Sequence, residues 1–128
     1  MKKKHRFYLC EHCGNLIGMI HDAGVPIICC SEPMKELVAN TSDAAQEKHV
    51  PVVEVEGKHV KVKVGDVAHP AAEDHHISWV YLQTQKGGQR KALDYDKAPE
   101  TQFCLTQDDE PVNVFAYCNL HGLWKKEL

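Results

Sequence analysis

Val53-Glu54-Val55-Glu56-Gly57-Lys58-His59-Val60-Lys61-Val62-Lys63-Val64 puts valine at every second position on both sides of a glycine-centred break. Successive side chains of a strand point to opposite faces, so this period of two reads as a half-buried strand pair. Glu54, Glu56, Lys61 and Lys63 occupy the other, solvated face, and Glu56-Gly57-Lys58 is the expected turn of a hairpin that begins near Val50. Further strands are expected over Ile77 to Thr84, Arg90 to Leu93, Gln102 to Thr106 and Val112 to Cys118, with Lys86-Gly87-Gly88-Gln89 as a turn. Several short strands separated by turn signals predict a mainly β protein built on an antiparallel sandwich.

Upstream the character changes. Residues 1–36 hold four of the six cysteines, two glycine turns and only short apolar pieces such as Leu16-Ile17-Gly18-Met19-Ile20. A unit below about 40 residues rarely builds a sufficient core, so this one needs a staple, and its cysteines are suited to supply it. Residues 37–48, with Asn40-Thr41-Ser42-Asp43, are polar and small and read as a linker, which leaves 49–128 for the sandwich. The 128 residues are 43% hydrophobic and 26% charged, as expected of an ordinary globular protein. The basic start Met1-Lys2-Lys3-Lys4-His5-Arg6 is followed by only three apolar residues before Cys10, so no signal peptide is expected and the protein reads as cytoplasmic. No apolar run approaches membrane-spanning length, and a net charge of −3 does not suggest a nucleic-acid partner.

Cys10-Glu11-His12-Cys13 and, after fifteen intervening residues, Cys29-Cys30 form one group of metal-type residues. Four thiolates suit either zinc or iron. The usual two-residue spacer recurs in zinc ribbons but not in the adjacent Cys29 and Cys30, which should distort the tetrahedron; zinc gains nothing from that, whereas iron's electronic properties respond to it. The motif by itself leaves the metal open.

A second group comprises His49, His69, His75, Cys118 and His121. Four imidazoles and a thiolate exceed the four ligands that close a structural zinc site and point to a metal of higher coordination, iron first, with one position left for chemistry. Glu47 and Lys48 precede the first histidine and bring a carboxylate and an ammonium to the same loop. His5, His12, His21, His59 and His76 are assigned to ordinary surface or hydrogen-bonding roles and Cys104 to buried packing. Spacing does not separate His75 from its neighbour His76.

With these residues in place, the chain resembles the desulfoferrodoxins, two-iron superoxide reductases. The matching stretches are Cys10-Glu11-His12-Cys13-Gly14-Asn15, Cys29-Cys30-Ser31-Glu32-Pro33-Met34, Glu47-Lys48-His49-Val50-Pro51, Val67-Ala68-His69-Pro70 and Tyr117-Cys118-Asn119-Leu120-His121-Gly122. The resemblance implies a desulforedoxin-like N-terminal domain over 1–36 with iron on Cys10, Cys13, Cys29 and Cys30. It implies that 37–48 are linker and the start of an active-site loop, and that 49–128 are an immunoglobulin-like sandwich. There His49, His69, His75 and His121 would lie in the plane of a second non-haem iron and Cys118 on its axis. It also implies that Lys48 attracts superoxide and aids protonation, that Glu47 fills the sixth position in the oxidised state, that a rubredoxin-like protein donates electrons, and that the chain is a homodimer. Histidine at 76, where the family commonly has a bulky aromatic, is a departure. A zinc-ribbon interaction module and a non-catalytic iron electron carrier are the competing readings.

Overall fold

The computed structural model describes residues 4–42, 44–65 and 70–128. The chain divides into two compact units, Met1–Val38 and Ala39–Leu128.

In the first unit β1 (Phe7–Leu9) pairs antiparallel with β2 (Leu16–Gly18), with Tyr8 opposite Ile17. Two-residue strands follow: β3 (Ile28–Cys29), β4 (Glu32–Pro33) and β5 (Lys35–Glu36), the last pairing with the other edge of β1. Only Phe7 and Cys10 are buried among its described apolar residues, while Ile20, Val25, Ile28 and Val38 are exposed. That core is too thin to order the unit unaided, as its length suggested. The β3–β4 hairpin turns through Cys30 and Ser31, both at positive φ (52° and 65°), the signature of a type I′ turn. Adjacent Cys29 and Cys30 thus straddle a strand end and a tight turn.

The second unit opens with a single helical turn, α1 (Gln46–His49), that runs directly into β6 (Pro51–Glu56). It continues with β7 (His59–Val64), β8 (Ile77–Thr84), β9 (Gly87–Ala92), β10 (Glu100–Cys104), β11 (Pro111–Cys118) and β12 (Gly122–Glu127). These form a three-stranded sheet, β10-β7-β6, and a four-stranded sheet, β12-β11-β8-β9, in the manner of a β-sandwich. Val60, Val62 and Val64 of β7 are buried and alternate with exposed Lys61 and Lys63. They join Val80, Leu82, Phe103, Val114 and Ala116 in one apolar core.

The expected hairpin is present, with Gly57 at φ 60°. The turn expected at Lys86–Gln89 lies instead at Gln85-Lys86, and Gly87 and Gly88 belong to β9. The reason is Tyr81, whose ring lies over Gly88 so closely that a Cβ there would collide with its hydroxyl; the glycine makes room for a cross-strand aromatic and does not mark a bend. Cys104, expected to be buried, is exposed: Phe103 of β10 and Leu105 just beyond it point inward, and alternation turns the cysteine between them outward. Cys118 ends β11, the penultimate strand, since β12 follows it.

Candidate metal centres

In the first unit the loop after β1 folds tightly because Gly14 adopts φ 84°, which lets its N–H donate to the Cys10 carbonyl at 2.9 Å while the Cys10 N–H donates to the Asn15 carbonyl at 2.8 Å. The ligand atoms of Cys10, Cys13, Cys29 and Cys30 all lie within 4.8 Å of one another. The Cys13 and Cys29 sulfurs are 3.6 Å apart, close to the ~3.8 Å separating two thiolates on one tetrahedral ion with bonds of about 2.3 Å. The backbone N–H of Cys13, helped by that of His12, draws the Cys10 thiol down to about 6, whereas hydrogen bonding to the Cys13 and Cys10 sulfurs pushes Cys30 up to about 12. Four thiolates this close repel one another, and a multivalent cation removes the conflict; the group fits a metal held by all four. His12 is outside the group and pairs with Glu32 at 2.8 Å, tying the two cysteine loops together.

In the second unit the ligand atoms of His49, His75, Cys118 and His121 also lie within 4.8 Å of one another. α1 buries His49, and the ring's Nδ1 donates to the Ala45 carbonyl at 2.7 Å. A carbonyl only accepts, so the proton is on Nδ1 and Nε2 presents its lone pair to the centre. Fully buried Trp124 of β12 stacks on that ring at 4.8 Å and 22°, which fixes its plane. His121, from the turn between β11 and β12, directs Nδ1 at His49 Nε2 (3.2 Å) and at the Cys118 sulfur (3.8 Å). Neighbouring nitrogens on one ion at about 2.1 Å and a right angle are ~3.0 Å apart, so the 3.2 Å pair suits a shared metal.

His75, just before β8, meets the His121 ring edge-on at 5.0 Å. Burial is the main cause holding both His49 and His75 below the usual imidazole range, and the neighbouring His121 adds to it. Both shifts favour the neutral ring that a metal ligand requires. Three imidazoles and a thiolate converging from three separate segments fit a transition-metal ion such as iron.

The structure brings His75 into this group and leaves His76 out: His76 Nδ1 donates to the Ala72 carbonyl at 2.9 Å, and its ring faces Tyr95. His69 lies outside the described residues. Glu47 and Lys48 stand exposed on α1, immediately before buried His49. Gly65, at φ 78°, lies against this turn so closely that a Cβ would come within 2.6 Å of the Lys48 carbonyl oxygen. Trp124 and Gly65 were not singled out from the chain, because neither residue type carries metal chemistry; only the fold reveals their contact with the ligand-bearing turn.

The family model described as Desulfoferrodoxin matches residues 41–127, and that for the desulfoferrodoxin N-terminal domain matches residues 2–37. A desulfoferrodoxin from Nitratidesulfovibrio vulgaris is 45% identical over 127 residues, 99% of either chain. The crystal structure of the superoxide reductase from Treponema pallidum superposes with a TM-score of 0.82 at 47% identity, covering 98% of this chain and 100% of that one. A superoxide reductase (1Fe-SOR) from Giardia intestinalis has a TM-score of 0.54 at 32% identity and covers 64% of this chain and 99% of its own.

Proposed function

The chain belongs to the desulfoferrodoxin family, and from that premise we propose that it is a superoxide reductase turning over at the histidine and cysteine centre. The observation that carries the reading is the convergence of His49, His75, His121 and Cys118 on one point in the sandwich. Iron held by these residues would supply the single electron that, with two protons, converts superoxide to hydrogen peroxide.

The protein's own residues set the conditions. Neutral His49 and His75 donate nitrogen lone pairs without adding charge, and the Cys118 thiolate pushes electron density towards the metal. His69 completes a set of four imidazoles; in support, Gly65 on one side of it packs against the Lys48 carbonyl, and Ala72 on the other pairs with His75. Exposed Lys48 draws the small anion in and delivers a proton to it. Glu47, its neighbour, would offer its carboxylate to the oxidised metal as a further ligand.

A rubredoxin-like one-electron donor restores the reduced form. The chain works as a homodimer, a reading supported by the thin core and exposed Ile20, Val25, Ile28 and Val38 of the first unit. The need for reduced sulfur at two centres supports a cytoplasmic location, and no helix among the described residues is long and apolar enough to cross a membrane.

The test is an anaerobic pulse of superoxide onto the reduced protein, with peroxide and oxygen both measured. One peroxide per superoxide and no oxygen is expected. Oxygen released in dismutase proportion would refute the assignment.

A further inference from the structure

We propose that Asn119 is a positioning residue that sets the place of His75 at the second centre by tying the loop that carries His75 to the turn that carries Cys118 and His121. Asn119 lies between those two ligands yet is exposed and supplies no atom to the metal group. Its bonds go elsewhere. The side-chain Oδ1 accepts the His76 N–H at 2.8 Å, Nδ2 donates to the Asp74 carbonyl at 3.0 Å, and the backbone N–H donates to the His76 carbonyl at 3.2 Å. These contacts fall on the residues before and after His75, so they hold the ligand from both sides.

The local topology explains why such a clamp is needed. Pairing of β8 with β11 shifts register between Tyr117 and Cys118 and ends with Cys118 opposite Ile77. Beyond Ile77 the chain leaves the ladder, and His75 turns back on Ala72 through a pair of backbone bonds of 3.1 and 3.2 Å. That small turn fixes the shape of the loop without fixing its distance from Cys118 and His121. Asn119 supplies the missing cross-link: beyond the ladder one backbone bond remains, and its side chain adds two more, one on each side of His75.

The chemistry also selects the residue type. The site asks for an acceptor facing the His76 N–H and a donor facing the Asp74 carbonyl. Asparagine is the shortest side chain that carries the two on separate atoms, so it can face both partners at once; aspartate at neutral pH offers only acceptors, and alanine neither. Because the side chain is exposed, truncating it opens no cavity in the core, and the loss is confined to ligand position.

The proposal rests on the second group being a metal centre and not on the identity of its substrate, and its test uses no superoxide. Asn119→Ala and Asn119→Asp are prepared in the full chain with iron at both centres, and metal release to a chelator and visible absorption are followed for each centre. The expected result in both variants is an affinity at the second centre weakened about 10- to 100-fold, a shifted absorption from its Cys118-bound ferric ion, and an unchanged four-cysteine centre. Parent-like affinity and absorption at the second centre would overturn the proposal. So would equal loss at both centres, which marks a general folding defect and not a misplaced ligand.

Discussion

Adjacent residues on α1 have opposite environments: Lys48 is exposed, while His49 is buried, hydrogen-bonded to Ala45 and stacked on Trp124. One turn of helix thus presents an exposed charge to solvent and a buried imidazole to the interior. A charge on a long exposed stem steers an anion more than it stabilises a fold. Replacing Lys48 with Ile is therefore expected to slow the second-order reaction with superoxide about tenfold at low ionic strength, with the gap narrowing as salt is added and the iron content unchanged. Stopped-flow rates over a salt series check this; an identical, salt-insensitive rate in parent and variant would remove the steering role.

Among the elements, the β3–β4 hairpin is the one under strain. Cys30 and Ser31 both adopt left-handed backbone, which costs a non-glycine residue roughly 1–2 kcal/mol. Cys30 is one of the four grouped thiols, but Ser31 has no such duty, so Ser31→Gly should stabilise the first unit of the iron-loaded protein by about 0.5–1 kcal/mol after the extra chain entropy of glycine is subtracted. A guanidinium midpoint read on that unit would show it, and an unchanged or lower midpoint would mean that the turn is not strained.

Elements were legible from the chain where the valines alternate, as in β6 and β7, and where the apolar run Trp79-Val80-Tyr81-Leu82 marks β8. β12 was not, because Leu123 and Trp124 are buried in succession and break the period of two. The two- and three-residue strands of the first unit are too short to show any period. Gly87 and Gly88 misled for a different reason: the ring of Tyr81, seven residues before Gly88, decides their role. Ligands could be read from residue type and grouping, whereas Asn119, Gly65 and Trp124 act through contacts that exist only after folding.

For the whole molecule, two units solve different problems with the same element, sulfur. The first closes four thiols around a point and substitutes a metal for the core it lacks, which suits a saturated centre. The second already has a sandwich core and brings three histidines and one buried cysteine together from α1, the start of β8 and the β11–β12 turn, a mixed set that suits a working centre. An electron carrier would have both centres saturated, and a zinc-ribbon module would have no colour at all.

The most direct test of this division is to titrate the oxidised, iron-loaded protein with cyanide while recording its visible spectrum and metal content. The account predicts two irons per chain, with the absorption of the Cys118-bound iron shifting as the anion binds and that of the four-cysteine iron staying fixed. A colourless zinc protein, or two irons that both ignore the anion, would contradict it.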